Sequence, residues 1–177
     1  MNETSWWQRI NHGELAQGDW LPRCLMPVFL GESRLQDPDE SVEEDLFYSD
    51  LIIVTQSCDL ENGRAIFAAL CSISTLAEFE SFNEKARKKG WWEQVRKGRV
   101  EGLHLLASPE NPANNRDALV VDFGQIVSLP AGYLQDHAGR VGDRWRLASP
   151  FLEHFSQSFA RFFMRVGLPS SIPPFGK

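Results

Sequence analysis

The sequence predicts an α+β domain, mainly β: a small antiparallel barrel with a helical insertion and a packed C-terminal helix. Three observations predict it. Asp50–Gln56 (DLIIVTQ) holds four consecutive apolar residues, and Arg64–Ile73 returns after the turn Glu61-Asn62-Gly63, so the two read as a central hairpin. Short strand-like runs recur between residues 102 and 147, separated by turn-rich stretches. The chain then carries an apolar stripe of helical period over 149–166. With 177 residues, 42% hydrophobic and 24% charged, a single domain over 1–177 is expected. A chain of this length buries enough surface to fold without a disulfide or a metal.

Each element has its own signal. Residues 1–18 read as a short helix or arm, because Trp6, Trp7 and Ile10 can share one face ahead of Gly13. Barrel strands are expected over 18–73 and 102–147. The first, Asp19–Leu30, carries Pro22 and Pro27 and so reads as an edge strand. Gly31–Asp45 is acidic and reads as a solvated loop. Thr75 and Glu78 form a candidate capping box opening a helix to about Lys89, with Gly90 as its stop and a second short helix carrying Trp91 and Trp92, which makes 75–99 a helical insertion. Strands follow at Gly102–Ala107, Ala118–Phe123, Gln125–Leu129 and Val141–Leu147. The last helix is marked by Ser149 as cap, Pro150 in the first turn and an apolar face of Leu152, Phe155, Phe159, Phe162 and Val166, before Gly167 and Pro169.

Composition narrows the function. The net charge is −6, split into −9 over residues 1–60 and +3 over 61–177. An acidic chain does not bind nucleic acid indiscriminately, but the split leaves room for a local basic face. Cys24, Cys58 and Cys71 are an odd set with no CxxC pair, which argues against a disulfide framework and a structural zinc site. No apolar run approaches the ~20 residues of a membrane span, and Met1–Ile10 has no apolar signal core. A cytoplasmic protein with no membrane partner is the expectation. With no phosphate-binding glycine loop, HExxH or GxSxG, neither a cofactor nor a metal is expected. The oligomeric state stays open, a dimer included.

Three constellations could carry chemistry. Thr55-Gln56-Ser57-Cys58-Asp59 follows directly on a buried strand, where a rigid scaffold presents side chains. Gln56, Ser57 and Asp59 could bind a ligand or simply satisfy turn backbone. Cys58 could be a nucleophile if a base such as His104 activates it, although the neighbouring Asp59 disfavours a thiolate. On the last helix His154, Ser158, Arg161 and Arg165 are spaced by four, three and four, and the two arginines could hold a phosphate or carboxylate. Otherwise that stripe is a solvated face. In the insertion, Lys85, Arg87, Lys88, Lys89, Arg96, Lys97 and Arg99 interleave with Trp91 and Trp92, a composition that suits either a phosphate chain with stacked bases or a solvated helix with its tryptophans tucked inward.

The order of elements resembles the MazF/PemK-type toxins of toxin–antitoxin systems. The resemblance rests on Gly18-Asp19 at the opening of the first strand, on the central hairpin DLIIVTQSCDLENGRAIFAALCSIS, on ALVVDFGQIVSLP and on a closing helix, and spans about 100 residues as a pattern of elements. It implies a Src-homology-like barrel that binds single-stranded RNA or a small partner protein in a toxin–antitoxin or defence-type system. The family's arginine before the central strand is replaced here by Tyr48-Ser49-Asp50, and its threonine after the returning strand falls at Ser72 or Ser74, so a ribonuclease site is half present. The segment TQSCDL also resembles one in bacterial proteins of no assigned reaction. The expectation is therefore an RNA- or partner-binding module. The alternatives are a cysteine-dependent hydrolase using Cys58 and His104, and a non-enzymatic subunit whose acidic N-terminal third docks a basic protein.

Overall fold

The computed structural model describes residues 5–29 and 44–164. Seven strands, β1 (Trp7–Ile10), β2 (Asp19–Phe29), β3 (Glu44–Ile53), β4 (Phe67–Thr75), β5 (Leu103–Leu106), β6 (Leu119–Pro130) and β7 (Arg144–Leu147), form one sheet. Its order is β1-β7-β2-β3-β4-β6-β5, and every pairing is antiparallel. Five helices complete the α+β fold: α1 (Ser57–Glu61), α2 (Leu76–Phe82), α3 (Trp91–Arg96), α4 (Ala131–Val141) and α5 (Phe151–Phe163).

The expected barrel is an open sheet instead. β1 and β5 share no ladder; the Trp7 indole N–H donates to the Ala107 carbonyl at 2.7 Å, so a single side chain links the two ends. The N-terminal segment is a strand rather than a helix. Its backbone pairs antiparallel with β7, Trp7 opposite Leu147 and Ile10 opposite Arg144, and Trp7 is its one buried side chain.

The central hairpin is present, with Leu51 opposite Ser72 and Ile53 opposite Leu70. At Leu51, Ile52 and Ile53 both faces of β3 are buried, whereas Leu46, Phe47 and Tyr48 are exposed. Ile52 and Val54 join Phe155 and Leu147 in the cluster under α5, whereas Leu51 and Ile53 join Leu134 and Ala138 in the cluster under α4. β2 is internal only at Asp19 and Trp20, which pair with β7; beyond them, where its prolines lie, it pairs with β3 alone among the described residues, as an edge would. Pro22 is accommodated in the bulge between Leu21 and Cys24, where the ladder is already broken. The acidic stretch read as a loop lies almost wholly outside the described residues, and β3 begins at Glu44.

The capping box forms: the Thr75 hydroxyl accepts from Glu78 N at 3.2 Å and Glu78 Oε2 accepts from Thr75 N at 2.8 Å. The helix stops at Phe82 rather than running to Lys89, because Asn83 is extended and its side chain caps a 3₁₀ turn over Glu84–Arg87. The strands expected at 118–123 and 125–129 are one strand, β6, with a bulge opposite Cys71 and Ser72. α4 has no counterpart in the sequence reading. α5 starts at Phe151 and the Ser149 side chain does not cap it. Its expected continuation through Arg165 and Val166 lies outside the described residues.

Candidate functional site

The glycine-aspartate pair at the start of β2 is a structural junction. Gly18 adopts φ +82°, and a Cβ there would lie 2.9 Å from Leu152 Cδ1 and 3.0 Å from Leu147 Cβ, so only glycine fits. Asp19 is fully buried and binds two guanidinium groups. Arg144 reaches its Oδ2 at 3.0 Å through Nη2 and at 3.1 Å through Nε, while Arg146 reaches both oxygens. Arg144 also donates to the carbonyls of His12 and Glu14, and Arg146 Nη2 donates to the Glu14 carbonyl. This buried cluster ties the 12–19 turn to β7. Its only trace in the sequence is Arg144 and Arg146 two residues apart on one strand face.

The Thr55–Asp59 segment is also occupied by structural bonds. Thr55 Oγ1 accepts from Ala69 N at 2.7 Å, and Ser57 Oγ accepts from Gln17 N at 3.1 Å. Asp59 lies in the exposed first turn of α1. Cys58 is exposed, and its thiol is 3.8 Å from Gln56 Oε1. Cys24 and Cys71 are buried, and burial pushes each thiol up to about 12.

His104 is not brought to Cys58. It pairs with Val121, which pairs with Ile73, whereas α1 leaves the sheet where Val54 N donates to Ala69 O. Four residues of strand, roughly 13 Å, and three strand spacings of about 4.8 Å separate the two positions. The His104 ring stacks on Phe123 (5.9 Å, 20°) and packs against Phe155 (5.8 Å). Burial, assisted by the charge of His154, pushes its pKa down to about 4. Neutral and wedged between phenyl rings, His104 is a weak base with no thiol to serve.

Ser72 sits at the bulge opposite Asp122, whose carboxylate accepts from Gly124 N at 2.8 Å and Gln125 Nε2 at 3.2 Å. Asp50, just before the buried run of β3, accepts from Trp20 Nε1 at 3.1 Å and Arg23 N at 2.8 Å. Neither residue has a base or nucleophile among its bonded partners.

What the fold does assemble is a groove of about 450 Å³ between the insertion, β5 and α5. His104 and Phe162 lie in its lining, Arg96 on the insertion side and Ser158 and Arg161 on the α5 side. Gly102, at φ +81°, lets the Phe162 ring close over it: a Cβ there would be 3.1 Å from Phe162 Cε2. Arg161 is exposed, and the Ser158 hydroxyl donates to the His154 carbonyl one turn back at 2.8 Å. His154 is itself exposed on α5.

The insertion contributes an uneven charge. Glu93 takes a bidentate pair from Arg96, both contacts at 2.7 Å, and a third contact from Lys97 at 3.1 Å, which together hold its carboxyl down to about 2. Arg87 caps α2 by donating to the carbonyls of Glu80 and Ser81. Lys85, Arg87, Lys88, Lys89 and Arg99 are exposed and enter none of the ion pairs among the described residues. The two tryptophans are not a stacking platform. Trp92 donates to Glu80 Oε1 at 2.7 Å and packs edge-on against Phe79, and the Trp91 Nε1 is buried without a partner. The groove's aromatic side chains are Trp6, Phe123 and Phe162, of which the helical stripe in the sequence marks Phe162.

Among the described residues, no group of three His, Cys, Asp or Glu side chains could hold a metal ion, and no helix is long and apolar enough to cross a membrane. No protein-family model matches the chain, and no curated protein or solved structure matches it either.

Proposed function

We propose that the chain is a single-stranded RNA-binding module of the kind the MazF/PemK resemblance implies, in a toxin–antitoxin or defence-type system, and that it binds without cutting. The observation that carries this reading is the groove under α5, whose rim takes Arg96 from the insertion and Arg161 from the last helix, with Phe162 and His104 between them. Residues 85–99 hold seven cations against one carboxylate, which gathers positive charge on one side of an otherwise acidic chain. The lining holds one carboxylate, Glu101, and Arg96 is paired with Glu93, so Arg161 is the cation of the lining outside the ion pairs among the described residues; cations beside aromatic rings suit a phosphate chain with stacked bases. Catalysis is not part of the reading, because the groove pairs no nucleophile with a base and Cys58 lies elsewhere. A gel-shift titration of single-stranded RNA at ~20 mM salt should give a complex by ~10 µM protein, since even non-specific binders reach that range. No complex under those conditions overturns the proposal.

A second reading, a module that docks a protein partner, is favoured by exposed Leu46, Phe47, Ile66 and Phe67, which lie off the groove. Phe67→Ser should then weaken capture of a partner and leave RNA binding unchanged.

A further inference from the structure

A second groove, of about 620 Å³, lies on the α4 side of the sheet, between α4 and the ribbon formed by β2 and β3. Its lining includes Arg23, Tyr48, Tyr133, His137 and Arg140, with Asp136 as the one carboxylate. Tyr133, His137 and Arg140 follow at four and three residues along α4, so they share one face. The Tyr133 hydroxyl accepts from Leu25 N at 2.7 Å and keeps its own proton to donate. His137 Nε2 donates to the Pro22 carbonyl at 2.8 Å and its ring stacks against Tyr133 (5.9 Å, 28°), which fixes both rings.

Arg23 is the informative residue. It has φ +52°, the only positive value at a non-glycine position among the described residues. The Asp50 carboxylate holds it there by accepting its N–H at 2.8 Å. Glycine or asparagine would take this backbone at lower cost, so an arginine here points to a use for its side chain. That side chain lies 5.1 Å over the Tyr48 ring, which is 64% exposed. Neither Arg23 nor Arg140 enters the ion pairs among the described residues.

We propose that this groove binds a 5′-phosphorylated nucleotide, with its phosphate held by Arg23, Arg140 and the Tyr133 hydroxyl and its base laid against the exposed part of Tyr48. Two guanidinium groups outweigh Asp136 and match a phosphate dianion, and a groove of this size holds one nucleotide. The site is separate from the groove under α5 and does not depend on RNA binding there. The nucleotide can be free or can be the first residue of an RNA.

Calorimetric titration with AMP, and with a short oligouridylate carrying either a 5′-phosphate or a 5′-hydroxyl, separates the two sources. AMP binding assigns a free nucleotide, and a preference for the 5′-phosphorylated oligomer assigns an RNA end. Either should weaken about tenfold or more in Arg140→Gln and in Arg23→Gly, since each removes a charge-assisted contact. Arg23→Gly should also melt no lower than the parent, because glycine relieves the backbone. The proposal is overturned if AMP fails to bind at ~5 mM and the 5′-phosphate brings no preference. It is equally overturned if both variants bind as the parent does.

Discussion

Asp19 shows how a charged residue can be buried without being a site. Both its oxygens are taken by Arg144 and Arg146, so the carboxylate is spent on holding the 12–19 turn to β7. His104 is the opposite case, a titratable group whose environment costs it its charge. Its folded pKa of about 4 lies below the 6.5 of a free histidine. The unfolded chain therefore binds the proton more readily, and the neutral form stabilises the fold above pH 6.5. That contribution is lost as pH falls from 6.5 towards 4. The loss from this residue should be roughly 1–3 kcal/mol, after allowance for its partial exposure. Denaturant melts at pH 7.5 and 4.5 measure it, and His104→Leu, which keeps the volume and removes the proton site, should flatten the difference. An unchanged pH dependence in His104→Leu would show that the ring is better solvated than its packing against Phe123 and Phe155 implies.

At the scale of elements, β3 carries the fold, because its two faces serve two different cores. Ile53→Ala empties a fully buried position in the cluster under α4 and should cost ~2–5 kcal/mol. A loss below ~1 kcal/mol in urea melts would mean that this cluster repacks freely. The four-residue apolar run made β3 legible in the sequence, since only a strand covered on both sides needs apolar residues at every position. α5 was legible for the complementary reason, a stripe of helical period that buries Phe155. α4 was not legible. It buries only Leu134 and Ala138, it starts directly after a strand ending in Pro130, and Gly132 and Gly139 lower its intrinsic propensity. Tertiary contact with β2 and β6 forms the helix, and one sequence cannot show such contact. Open against closed was equally hidden, because strand patterning is the same in a curled sheet and in a barrel, and only the missing ladder between β1 and β5 distinguishes them.

At the scale of the whole molecule, charge is sorted by position rather than by amount. The first 60 residues carry −9 and the remainder +3, and the basic excess is concentrated in residues 85–99 beside α5. In the sequence His104 stands as a candidate base for Cys58, and the α5 stripe and the insertion as two further constellations. The fold joins these three at one groove and leaves Cys58, Asp59 and Ser72 away from it, because pairing across β4, β6 and β5 decides which segments meet. Arg96 and Arg161 thus meet at this groove, and Ser57, Cys58 and Asp59 are not in its lining. If RNA lies in that groove, its affinity depends on counterions released from its phosphates, and each contacted phosphate contributes about 0.7 to the slope of log K against log salt for a single strand. Replacing Lys88, Lys89 and Arg161 together by Gln removes one exposed cation of the groove lining and two of the basic insertion, and should lower the slope by about 2 while leaving the melting temperature nearly unchanged. Replacing Arg116 and Arg64 by Gln, exposed cations outside the groove lining, should leave the slope as it was. Equal losses in the two variants would mean that the field of the whole protein, and not this groove, holds the RNA.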